Sequence, residues 1–499
     1  MTRARLLVLF FSLAIAVAPA NRERHALARP AQSTESWRKQ SPPPLPARPF
    51  KLPATKEVKL DNGLIILLFE DRRAPLVTIQ AGIPLAPPRM AGPAALASYV
   101  ALAESTAELM TEGAGARTSS ETAREVESLG GRIASSANED YAEVSAVAVS
   151  ANTDRMIDLF ADVMLRPAFP QREVALYKSN RIARLTLQRQ EPAFLAQETF
   201  DKVVYGSHPY SRSVPTPQAV QAVTRLRIER FYKSNFTPRG SAIVIAGDFD
   251  SSKTETRLRE RFSGWRNPAA RPDSRQLQSK KPVARKIYMI DRPGSEQADF
   301  LLGGLAVKRT DSDYFALSVA NAILGAGTAS RLFLNLREQK GYTYDVYSSI
   351  SALRHAGTFF GASQTRTEVT IEAIKEMLVE FDRIANQKVS DQELKDARSF
   401  LAGQFALSLS TQGGVASRLL HARVLGLGPD YLESYRARVD EVTSDRVQEV
   451  ARKYISTSTA VIVVVGDARK LAKGLRVIGS VELFNSEGRR LQSTTTTTK

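Results

Sequence analysis

The chain of 499 residues is long enough for two to four domains with separate cores, and its 43% hydrophobic and 24% charged residues are ordinary for a globular protein. It has no cysteine, which excludes disulfides, thiol nucleophiles and thiolate metal sites. The net charge of +17 comes from scattered arginines, with no basic run interleaved with aromatics, so nucleic acid is not expected as a partner.

At the N-terminus, Arg3 and Arg5 precede an apolar run from Leu6 to Val17, and Ala18-Pro19-Ala20 supplies small residues at cleavage spacing. Twelve apolar residues are short for a bilayer, so 1–20 is expected to be a signal peptide cut after Ala20, with a periplasmic or otherwise exported product and no stable membrane anchor afterwards. An uncleaved anchor is the alternative. Residues 21–53, including Ser41-Pro42-Pro43-Pro44-Leu45-Pro46, read as a disordered proline-rich linker. A hairpin is expected next, Glu57–Leu60 and Leu64–Phe69 around Asp61-Asn62-Gly63, because Asn-Gly tolerates the positive φ of a tight turn. Ala94–Thr111 reads as a helix. Thr118 with Glu121 forms a capping-box pattern that opens a second helix, ended by Gly130-Gly131. Arg132–Val149 alternates as a strand pair, Ile157–Met164 and Arg172–Leu187 read as helices, and Ser241–Ala246 as a buried strand.

The second half repeats this programme. The run Ala242 to Asp248 recurs as Val461 to Asp467, and Arg227-Ile228 as Arg446-Val447, both at an offset of 219; the helix start at Pro170 recurs at Ser390. A near-constant offset argues for internal duplication. The expected fold is α+β, with two duplicated domains, each a mostly antiparallel sheet with helices packed on one face. The expected boundaries are 54–266, a linker over 267–285, 286–480, and a polar tail over 481–499.

Several segments carry a specific likeness. They are Leu60 to Leu64 with Pro75-Leu76-Val77, Tyr205-Gly206-Ser207-His208-Pro209-Tyr210, and above all Gly325 to Phe333 with Leu336-Arg337-Glu338 up to Tyr344. Across residues 54 to 480 the chain resembles the pitrilysin/insulinase family of zinc metallopeptidases, whose metal motif is H-x-x-E-H. The resemblance implies a mitochondrial-processing-peptidase-like subunit of two domains. Family members hold a peptide substrate as an added β-strand in a chamber closed by two facing halves.

Two histidines at i and i+4 reach one zinc, and a glutamate between them serves the metal-bound water as general base. Anchored on Gly113, the resemblance places the histidines at Glu104 and Glu108 and the base at Ala107. The third ligand, some eighty residues on, falls at Arg184, and a guanidinium cannot ligate zinc. The metal site is therefore expected to be degenerate, with no metal or other cofactor in this chain. Glu104 and Glu108 remain open to solvation, to weak binding of a hard cation, or to pairing with Arg184. The four histidines, His25, His208, His355 and His421, lie far apart in sequence and offer no helical ligand spacing.

The family's arginine/tyrosine pair is retained at Arg337 and Tyr344. Members with a defective zinc motif often lend this pair to a partner's zinc site, where a guanidinium and a phenol stabilise the oxyanion of peptide hydrolysis. Alternation places Tyr342 and Tyr344 on one face of an extended strand, so Tyr342 is the rival for the tyrosine role. The resemblance thus implies a non-catalytic subunit of a heterodimeric zinc endopeptidase, inactive alone, with a zinc-bearing relative and a peptide substrate as partners. An inert scaffold or peptide-binding protein is the alternative. An independent Ser-His-Asp peptidase remains open, although no Gly-x-Ser-x-Gly elbow occurs.

Overall fold

A computed structural model describes residues 55–87, 92–266 and 284–491. The expected leader, the proline-rich linker, most of the interdomain linker and the last eight residues lie outside the described residues. Among the described residues no helix is long and apolar enough to cross a membrane.

The strands in chain order are β1 Lys56–Lys59, β2 Ile65–Glu70, β3 Leu76–Pro84, β4 Arg132–Ala137, β5 Tyr141–Val149 and β6 Ala242–Gly247. They continue with β7 Lys286–Asp291, β8 Gln297–Ala306, β9 Val346–Ala352, β10 Gly357–Arg366, β11 Val461–Gly466 and β12 Ser480–Asn485. Two six-stranded sheets result, ordered β1-β2-β6-β3-β5-β4 and β12-β7-β11-β8-β10-β9. The duplication is visible in the pairing. β2 and β6 are parallel at the register Ile65 to Ala242, as β7 and β11 are at Lys286 to Val461. In both sheets the rest of the inner ladder is antiparallel.

The edges opposite the hairpins differ. In the first sheet β1 folds back on β2 through the Asn-Gly turn, where Gly63 takes φ +90° and the Asn62 side chain ties the turn to the carbonyls of Phe262 and Trp265. In the second sheet that place belongs to β12, parallel to β7. Residues 481–485 had been expected in a polar tail; instead they form this strand. Val481 and Leu483 pack on the core and Phe484 stacks on Tyr288 at 6.1 Å.

β6 and β11 are apolar throughout because both faces are covered. On β6, Ile243 and Ile245 join Ile66, Leu68, Val77 and Ile79 in a core roofed by first-half helices. The other face, carrying Ala242, Val244 and Ala246, packs with Val415, Leu420 and Val424 of the helix Gln412–Val424 from the second half. The second sheet is treated likewise. Val461, Val463 and Val465 of β11 meet Leu195, Phe200 and Val204 of the helix Pro192–Tyr205 from the first half. Each half thus lends one helix to the other's sheet. At Gly82 on β3 the borrowed helix leaves no room for a side chain, since a Cβ there would lie 2.6 Å from Val424 Cγ2.

Candidate functional site

The helix Pro93–Leu109 follows from an alanine-rich sequence with proline at its first position, and it presents Glu104, Ala107 and Glu108. It packs on the helix Gln171–Gln188, whose inward face repeats every three to four residues as Val174, Tyr177, Arg181 and Leu185. Arg181 grips the Glu104 carboxylate with both arms, Nε to Oε2 and Nη2 to Oε1, each at 2.9 Å. Its remaining nitrogen Nη1 donates to Gln188 Oε1 at 3.2 Å. Of the roles left open for Glu104, pairing with Arg184 is not formed. Arg184 lies one turn further on, on the exposed side of the helix, and Arg181 occupies the inward position.

Burial pushes the Glu104 carboxyl up, and the Arg181 guanidinium opposes that shift. Ala107 is fully buried and carries no polar atom. Tyr177, raised first by burial and then by the charges of Glu104 and Glu108, has a buried hydroxyl with no partner among the described residues. This donor set does not fit a zinc ion: it has no imidazole, and a guanidinium already holds one carboxylate. Among the described residues no group of three or more His, Cys, Asp or Glu is arranged to hold a metal.

The second constellation lies in the other half. Phe333–Gln339 is wound as a π-helix, a rare form that is frequent at functional sites. Leu336 anchors it in the core, and Gly341 at φ +60° closes it, with Tyr342 N–H donating to the Leu336 carbonyl at 2.9 Å. Arg337 projects from this turn. Its guanidinium carbon lies 4.5 Å from the ring centre of Tyr344 and 4.6 Å from that of Phe333. Arg337 and Tyr344, seven residues apart, are therefore in contact, with the arginine between two rings. The Thr343 hydroxyl fixes the loop by donating to the Gln364 carbonyl of β10 at 2.6 Å.

Tyr342 and Tyr344 do not share a face. Residues 342–345 belong to no strand, since β9 begins only at Val346. Tyr342 packs partly buried on the core, whereas Tyr344 is 82% exposed. The rival tyrosine is thus tied into packing, and only Tyr344 stands free beside Arg337.

The structure also joins residues that no sequence spacing connects. His208 is buried, and its Nδ1 accepts the Tyr210 N–H at 3.1 Å. The Tyr210 hydroxyl donates to Asp140 in the β4–β5 turn and accepts the His355 N–H from the β9–β10 turn at 3.3 Å. The other Asp140 oxygen accepts the Arg354 N–H at 2.9 Å. Burial, and then the charge of His355, push His208 down to about 4. The two corresponding hairpins are thereby stitched together by a polar seam. Its bonded partners lie up to 214 residues apart, so only the fold reveals it.

Against known proteins, residues 103–218 match the family described as Insulinase (Peptidase family M16), and residues 222–401 match the one described as Peptidase M16 inactive domain. An uncharacterized zinc protease of Streptomyces coelicolor is 26% identical over 71% of this chain and 78% of its own length. A non-peptidase homolog of Helicobacter pylori is 20% identical over 64% of this chain and 73% of its own length. Among solved structures, a peptidase M16 inactive domain from Pseudomonas fluorescens superposes with a TM-score of 0.76 at 27% identity, covering 83% of this chain and 98% of that one. A protease from Helicobacter pylori, at 18% identity and a TM-score of 0.77 over 83% of this chain and 100% of that one, shares the fold.

Proposed function

Because this chain belongs to the insulinase-like peptidase family M16, we propose that it is an exported, zinc-free subunit that completes the active site of a zinc-bearing relative. The observation that carries the reading is the Arg337–Tyr344 pair. An exposed phenol held against a guanidinium by a closed π-turn has its donors set in advance, and that suits an oxyanion forming on a peptide carbonyl. The zinc, its water and the general base would belong to the partner. This chain would bind part of the peptide and stabilise the developing negative charge. The phenol O–H donates one hydrogen bond to the oxyanion, and the guanidinium beside it favours that charge electrostatically.

Reconstitution tests the proposal. Hydrolysis of a peptide is expected only when the purified chain is mixed with a zinc-bearing M16 relative from the same host. Tyr344→Phe in the mixture is expected to lower kcat by roughly 10²–10³ with little change in assembly. A mixture containing the Phe variant that cleaves at the full rate overturns the assignment.

The Glu104–Arg181 ion pair favours a second reading, in which the chain is an inert scaffold of the same fold. Co-purification from the host with no zinc-bearing relative in the complex would support the scaffold over the assisting subunit.

A further inference from the structure

A cavity of about 400 Å³ opens in the second half, away from both constellations above, and Arg309 forms part of its wall. This arginine follows β8 and is only 7% exposed. Its guanidinium carbon lies 3.7 Å from the ring centre of Tyr314 and 4.8 Å from that of Tyr431. Nη2 donates to the Tyr431 hydroxyl. Among the described residues Arg309 has no carboxylate within ion-pair distance, and its Nε and Nη1 have no acceptor. A buried cation without a counter-ion is costly, and elsewhere in this chain a buried arginine has one, as Arg181 has Glu104 and Arg331 has Glu393.

Both rings lie close against the guanidinium, and the N–H groups of Nε and Nη1 are left unused. Each can give an oxyanion a charge-assisted hydrogen bond. The rest of the wall fits such a guest. Thr310 and Ser312 line the cavity with their hydroxyls, as do Arg438 and Arg446, which are already ion-paired with Asp430 and Asp313. The helices Tyr314–Gly325 and Tyr431–Asp440 both begin at this wall, and neither is capped by the side chain of its own N-cap aspartate. Helix N-termini favour negative charge.

Among the described residues two acids of the wall, Asp311 and Glu441, have no cationic partner. Asp311 Oδ1 accepts the Asp313 N–H at 3.0 Å, and Asp430 is paired with Arg438 at 3.1 Å. Behind the cavity His421 is pushed down to about 4, by burial first and then by Arg309 and Arg418. Arg418 also has no carboxylate partner among the described residues, so Arg309 and Arg418 are two unpaired cations set against the unpaired carboxylates Asp311 and Glu441 of the wall.

We propose that this cavity binds a small oxyanion, a carboxylate or a phosphate, seated against the Arg309 guanidinium. Neither the peptidase relationship nor the Arg337–Tyr344 pair enters this assignment. Calorimetric titration of the full chain with inorganic phosphate and, separately, with succinate at constant ionic strength tests it. Saturable one-site binding of at least one anion is expected, and the arm that responds tells a tetrahedral from a planar guest. Arg309→Gln is expected to weaken that binding about tenfold or more. Absence of saturable binding in both arms overturns the proposal, as does a folded Gln variant that binds like the wild type. Crystals of the wild-type chain grown with the responding anion need no variant. Density for the anion within hydrogen-bond reach of Arg309 is expected, and an empty cavity there overturns the assignment.

Discussion

Single side chains decide how the first-half site behaves. In the Glu104–Arg181 pair the arginine is buried and the glutamate largely so, and removing Glu104 or Arg181 strands the other's charge. Arg181→Ala is expected to cost about 3–5 kcal/mol, read as a shift in the urea midpoint. The double variant Glu104→Leu/Arg181→Met should regain most of it, because two apolar side chains leave no orphan charge. Asp201 behaves differently. Burial raises its carboxyl from 3.8 to about 7, with the Gln197 amide only partly opposing. A raised acid binds its proton more tightly when folded, so its contribution to stability is fully present below pH 3.8 and is lost as the pH rises to about 7. Asp201→Asn should therefore gain on the wild type across that window, and a gap between their denaturation midpoints that stays constant with pH would refute this. Sequence could name Glu104, Ala107 and Glu108 as a set that no zinc peptidase would carry. It missed Arg181, because choosing between positions 181 and 184 requires knowing which face of the helix turns inward.

At the scale of elements, local chemistry was readable wherever one turn decides it. Thr118 and Glu121 form the reciprocal capping box that their spacing implies, and Ser390 with Glu393 forms another at the start of the helix Asp391–Ser408. Thr118→Ala should cost about 1 kcal/mol, measurable by thermal unfolding, since its hydroxyl satisfies a free N–H of the first turn. Glu393 does more than cap. Burial opposes its ionisation, but the Arg331 guanidinium and the Ser390 N–H outweigh that and hold it at about 2, so the cap also anchors the start of the π-segment. The segment after Gly341 was misjudged as a strand. Alternation in Tyr342-Thr343-Tyr344 looked extended, but the glycine closure and the Thr343 bond to β10 hold the loop out of the sheet. The edge strand β12 was also missed. Its alternating apolar positions are few and stand among polar neighbours, and only a place beside β7 makes a strand of them.

At the scale of the molecule, the duplication was legible from the repeated strands, because a strand buried on both faces leaves an uninterrupted apolar run. Which half supplies the second cover was not legible. The helices Pro192–Tyr205 and Gln412–Val424 look like ordinary members of their own halves, and their exchange depends on how the two sheets meet. This exchange makes the halves one cooperative unit. Phe200 is fully buried, edge-on to Phe360 of the other sheet at 5.7 Å. Phe200→Ala should cost about 3–5 kcal/mol. Tryptophan fluorescence and far-UV circular dichroism are expected to report one coincident transition for the wild type; separated transitions there would contradict a single unit.

The exchange also sets a clock on synthesis. The inner strands of the first sheet are complete once Gly247 has emerged, yet one face waits for the helix that begins at Gln412. At about 5–20 residues per second, that gap leaves β2 and β6 with a bare apolar surface for roughly ten to thirty seconds. A nascent chain of this design presents an aggregation-prone face over that interval unless something covers it.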